Sequence, residues 1–142
     1  MIELMVVLAI IAIGVAVTSL ALRDPVREQL EREGVRLAAL LEMARAEARA
    51  GGVAASWAPL QEPGATHFAF AGVPRDSGLP ERWLDPRVQA QIVGASRIVL
   101  GPEPILPPQR IVLRLDPHRL EVASDGLSPF SVRAPDGSSR MP

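Results

Sequence analysis

The polar and apolar positions divide the chain into three stretches of different rhythm. The first, MIELMVVLAIIAIGVAVTSLAL, is apolar almost throughout. One carboxylate, Glu3, stands at its edge, and no charge follows from Leu4 to Leu22. As a helix, residues 2–22 would reach about 32 Å at 1.5 Å per residue, against about 30 Å of bilayer hydrocarbon. The pattern predicts a membrane-spanning helix over residues 1–22, with Leu4, Leu8, Ile11, Gly14, Val17 and Leu22 along it. A cleaved signal peptide competes with this reading. Residues 16–21, AVTSLA, pass for a weak cleavage site, but no basic n-region precedes Arg23.

The second stretch, residues 23–52, steps by threes and fours. Val26, Leu30, Leu37, Leu41, Ala44 and Ala48 form an apolar stripe, which predicts an amphipathic helix. Asp24 is a good N-cap and Pro25 fits the first helical position, so the junction is either a kink or a joint between two helices. Charges are expected on the other face, where Arg27 with Glu31 and Glu28 with Arg32 are spaced to pair. Gly51-Gly52 is a stop.

In the third stretch, residues 53–142, short β-type runs alternate with turns, and 13 of the 14 prolines lie here. The expected strands are Val53–Trp57, His67–Ala71, Ser96–Leu100, Arg110–Leu115, Arg119–Ala123 and Phe130–Arg133. The best local signal is a hairpin around Asp116-Pro117-His118, and Ser124-Asp125-Gly126 supplies the next turn. Residues 72–80 and 101–108 read as loops, and the tail from Pro135 as frayed. The expected fold class is therefore α+β: a long N-terminal helix, its first half transmembrane, packed on a small antiparallel β domain.

Composition adds exclusions. Beyond Leu22 there are 15 basic and 15 acidic residues, the sixteenth acid being Glu3, so no nucleic-acid footprint stands out. Cysteine is absent, which removes disulfides and thiolate metal sites. The two histidines, His67 and His118, have no metal-ligand spacing, and neither a nucleophile elbow nor a phosphate-binding glycine loop occurs. No catalytic residue, cofactor or metal site is expected. Trp57, Trp83, Phe68, Phe70 and Phe130 are expected in the core. The flanking basic residues, Arg23 and Arg27, follow the apolar helix. Taken alone they would hold the C-terminal domain in the cytoplasm, unless basic residues precede Met1.

These stretches carry a family resemblance. IELMVVLAIIAIGV resembles the start of type IV pilins and type II secretion pseudopilins, whose mature chains open with Phe, Thr, two apolar residues and Glu. Glu3 falls on that glutamate. Residues 34–52, GVRLAALLEMARAEARAGG, resemble the helix of the GspH/FimT group. Residues 124–132, SDGLSPFSV, resemble that group's segment near the C-terminus, with Asp125, Gly126, Pro129 and Phe130 on its pattern. Trp83 falls where a mid-domain aromatic is common, and residues 53–110 match no further part of the family.

The resemblance implies a type IV pilin-like fold and a minor pseudopilin of the type II secretion system, of the H type. It implies a single pass through the bacterial inner membrane, with the β domain in the periplasm. The partners would be other minor pseudopilins, the major pseudopilin and the inner-membrane assembly platform. Together they would build a short pilus-like fibre that drives folded proteins through the outer membrane. Glu3 would neutralise the N-terminal amine of a neighbouring subunit, and Ala9, Ala12, Gly14 and Ala16 would let helices approach. Met1 stands where the third mature residue falls in the family. The expectation is an upstream stretch encoding a basic leader, Gly, Phe and Thr, cut by prepilin peptidase and methylated. The alternative is a FimT-type minor pilin of a type IV pilus that binds DNA in uptake, through Arg110, Arg114, Arg119, Arg133 and Arg140. A third reading is an unrelated single-span membrane protein with a sensing domain.

Overall fold

The computed structural model describes residues 1–21, 24–60 and 67–134. Leu22, Arg23, Arg140, and the tail expected from Pro135, lie outside the described residues. The chain is α+β. Helix α1 (Ile2–Ala21) is followed by helix α2 (Pro25–Gly51). The sequence left a kink or a joint open, and α2 has an N-terminus of its own. Asp24 is extended at φ −98° and ψ 101°, its side chain accepts from the Val26 and Arg27 N–H groups, and Pro25 follows it. At the other end Gly52, at φ 62°, caps the helix through Ala48 O.

Among the described residues seven strands follow: β1 (Ala55–Pro59), β2 (Phe68–Ala71), β3 (Gln89–Ile92), β4 (Ile98–Gly101), β5 (Gln109–Leu115), β6 (His118–Ser124) and β7 (Ser131–Arg133). A short 3-10 turn, Arg75–Ser77, lies between β2 and β3. The strands form two antiparallel sheets, ordered β2-β1-β4 and β3-β5-β6-β7. The expected β5–β6 hairpin forms around its proline turn, with a register running from Gln109 opposite Ser124 to Leu115 opposite His118. The Gln109 side chain joins the sheets, accepting from Val99 N (2.6 Å) and donating to Val99 O (2.8 Å).

Several expected boundaries shift for physical reasons. β1 starts at Ala55 rather than Val53, because the Val53 N–H is used on Ala48 O at the helix end. β7 starts after Phe130, whose N–H goes to Glu42 Oε1. β2 starts after His67, which forms an isolated bridge with Arg82. β4 runs Ile98–Gly101 rather than 96–100. Strand β3, QAQI, was not expected: it is an edge strand with alternating exposure and polar glutamines outward, so it lacks an apolar run.

The core sits where α2 meets both sheets. Leu30, Leu37, Leu41 and Ala44 from the helix pack with Trp57, Ile98, Ile111, Leu113 and Val122. Gly34 faces β6 and β7 closely; a Cβ there would stand 2.9 Å from Leu120 Cδ1. Phe68 is central to the aromatic cluster, with ring centroids 4.7 Å from Trp83 and 5.7 Å from Trp57. Phe130 is also buried, whereas Phe70 is only half-buried. The expected charge pairs, Arg27–Glu31 and Glu28–Arg32, are present on the outer face of α2, where Val35 and Met43 are also exposed further along.

Candidate membrane and assembly site

Helix α1 is the exposed apolar surface of this molecule. Every residue from Ile2 to Ser19 is exposed, Leu4, Leu8, Ile11 and Val17 among them, and nothing lies within 4 Å of a Cβ built on Gly14. Large apolar side chains left in water over a whole helix mark a surface that meets lipid or another helix. The 18-residue window Ile2–Ser19 is long and apolar enough to cross a membrane. Its interior backbone polar groups are satisfied within the helix, as a bilayer requires. Thr18 conforms, its hydroxyl donating to Gly14 O at 2.8 Å. Glu3 is the only charge of this helix and lies in its first turn, where the helix dipole favours an anion.

The second predicted group, Asp125, Gly126, Pro129 and Phe130, has a different role. Asp125 Oδ1 accepts from the Leu127 and Ser128 N–H groups, at 2.9 and 2.7 Å. These bonds, that to Ser128 foremost, hold its carboxyl below the ordinary Asp value. The Ser124 hydroxyl donates to Ser128 O (2.7 Å) and accepts from Gly126 N (3.0 Å). The closed loop is fastened to α2. Buried Arg45 donates to Gly126 O at 3.0 Å and to Ser128 O at 3.5 Å, and Glu42 Oε1 accepts the Phe130 N–H at 2.9 Å. Pro129 is exposed. The two stretches that carry the resemblance beyond α1 thus touch through Glu42 and Arg45. They form an architectural lock, separate from the apolar surface of α1.

A further lock was missed from sequence. Glu33 is fully buried on α2; its Oε1 accepts the Asp85 N–H at 2.9 Å, while Oε2 has no hydrogen-bond partner. Burial pushes its carboxyl above the ordinary Glu value, against the pull of the Asp85 and Leu84 N–H groups and of Arg36. Gln29 Nε2 donates to Asp85 Oδ2 (3.0 Å) and Arg36 to Arg82 O (2.9 Å). Arg87 holds the Asp85 carboxyl below its ordinary value. The available signal was the seven-residue gap from Leu30 to Leu37 in the α2 stripe, which Glu33-Gly34 fills.

His118, expected in a turn, begins β6, and its Nε2 lies 2.5 Å from Asp24 Oδ2. The hairpin is therefore tied to the residue that starts α2. The Arg27 backbone N–H, the largest influence, and His118 hold the Asp24 carboxyl below its ordinary value, against a smaller opposing effect of burial. Of the arginines proposed for nucleic acid, Arg110, Arg114, Arg119 and Arg133 fall on the outer face of the larger sheet, and Arg140 lies outside the described residues. Arg114 stands directly opposite Arg119, Arg133 is opposite Glu121, and Arg110 is 3.7 Å from Glu121. Among the described residues no group of three His, Cys, Asp or Glu could hold a metal.

No protein-family model, curated protein or solved structure matches this chain.

Proposed function

We propose that the protein is a minor pseudopilin of the type II secretion system, a non-enzymatic subunit that assembles through α1. The observation that carries this reading is an apolar helix exposed from Ile2 to Ser19, with one acid, Glu3, in its first turn, followed in the chain by a helix docked on antiparallel sheets. Such a helix has two stable settings: lipid, or a bundle of similar helices. Glu3 gives the second setting its specificity. A carboxylate taken into a low-dielectric bundle is expensive alone and is offset by a cation at the same depth, here the N-terminal amine of the neighbouring subunit. A slip in register leaves both charges unpaired. The Glu42–Arg45 lock supports the same reading, because it links the helix and loop stretches that resemble the GspH/FimT group.

In this reading the β domain faces the periplasm. The partners are the other minor pseudopilins, the major pseudopilin and the assembly platform, and prepilin peptidase processes the chain. Mass and N-terminal sequencing of the native protein, isolated from its host membranes, tests it. The expected N-terminus is a methylated Phe two residues upstream of Met1. An uncut N-terminus at Met1 would leave a plain membrane anchor and contradict the filament mechanism.

A further inference from the structure

We propose that the face of the larger sheet turned away from α2 is a docking surface for an acidic protein segment. The proposal goes beyond the assembly reading and does not rest on it. Side chains alternate across a strand. Leu113, Leu120 and Val132 pack on the core side, where Leu120 and Val132 lie beside Gly34 of α2. Their neighbours Arg114, Arg119 and Arg133 therefore stand on the opposite face, with Arg110 two residues before Val112 on β5. One acid of these strands, Glu121, shares that face; it is buried and lies 3.7 Å from Arg110. Among the described residues, Arg114, Arg119 and Arg133 have no ion-pair partner.

The register makes this row of arginines costly to the free protein. The Val93 N–H donates to Arg110 O, so the even-numbered residues of β5 bond toward β3. Arg114 and Arg119 are therefore a non-hydrogen-bonded pair, the kind in which side chains approach most closely, and like charges so placed destabilise a sheet. Arg133 stands diagonal to Arg119 on the next strand. Carboxylates from outside offset that repulsion, and the guanidinium fork takes them two bonds at a time. The rest of the face selects protein over nucleic acid. Gln89 and Gln91 lie opposite Arg114 and Val112, which sets neutral hydrogen-bonding groups beside an apolar side chain and arginines, as at a protein interface. No aromatic ring lies on these positions to stack a base. Glu121 opposes a continuous phosphate backbone laid across the face, whereas a peptide carries its carboxylates at intervals. Beyond Leu22 the charges balance, so no wider positive field surrounds the patch.

The full chain, solubilised in a non-ionic detergent, is titrated by fluorescence anisotropy with a labelled synthetic peptide of alternating Glu and Ser, and separately with labelled duplex DNA. The peptide is expected to bind saturably and to weaken as salt is added. Arg119→Gln and Arg133→Gln, both at exposed positions, are each expected to reduce its affinity about fivefold. Arg32→Gln removes the same charge from the exposed face of α2 and is expected to leave the affinity unchanged. The melting temperature of Arg119→Gln is expected to rise, because the repulsion with Arg114 is gone. Absence of saturable peptide binding by the folded chain would overturn the proposal, as would an equal loss in Arg32→Gln. Tighter binding of the DNA than of the peptide through the same arginines would also overturn it and assign the face to nucleic acid. A lower melting temperature in Arg119→Gln would make the row structural and overturn it on separate grounds.

Discussion

Gly126 shows how much of this fold rests on single positions. It adopts φ +93°, and a Cβ there would stand 1.8 Å from the Leu106 carbonyl oxygen. Its own carbonyl accepts from both Arg45 and Leu106 N. Gly126→Ala therefore cannot be absorbed by a rotamer change, and we expect a loss of about 1–3 kcal/mol in denaturant unfolding. An unchanged midpoint would show that the loop carries no strain-sensitive contact. The sequence made Asp125-Gly126 legible as a turn, because that chemistry is local. Its partner was not legible: Arg45 lies 81 residues away, and nothing in the ARAEARA run distinguishes the buried arginine from exposed Arg49. Asp24 was readable as an N-cap for the same local reason, while its contact with His118 spans 94 residues.

Helix α2 organises the domain, because two of the described loops are pinned to its side chains. Glu42 and Arg45 hold residues 124–130, and Gln29, Glu33 and Arg36 hold residues 82–88. The apolar stripe was legible from periodicity, since hydrophobic spacing reports burial directly. Strand β3 and the exposed Val35–Met43 face were not, because edge strands and outer faces leave no comparable pattern. The buried acid makes this element sensitive to pH. The folded-state carboxyl of Glu33 titrates above the ordinary Glu value of 4.5, so just above that pH the folded chain holds a proton that the unfolded chain has released. Stability is therefore expected to fall as pH rises above 4.5, levelling off beyond the raised folded value. Asp24 acts in the opposite sense, losing its contribution as pH drops below 3.8. Glu33→Gln keeps an acceptor for Asp85 N and removes the buried charge. Its unfolding free energy is expected to lose the decline above pH 4.5 and to match or exceed wild type at neutral pH. A variant that keeps the wild-type slope would place that proton elsewhere.

At the scale of the whole molecule the domain gathers apolar residues into a buried core and α1 does not. Ile2–Ser19 remains exposed while Trp57, Leu41 and Ile111 are fully enclosed, so the chain divides into an exposed apolar helix long enough to cross a membrane and a packed domain. The uncharged run announced this division from sequence alone. Orientation in the membrane was less legible, since Arg23 and Arg27 follow the span while the resemblance places the domain in the periplasm. The filament account makes one demand that a plain membrane anchor does not: the single charge of α1 must matter for assembly and not for insertion. Glu3→Leu, expressed in the native host, measures this directly through two readouts, resistance to alkaline extraction and co-purification with the secretion fibre. The account predicts unchanged insertion and co-assembly reduced to background. Normal co-assembly of Glu3→Leu would contradict it.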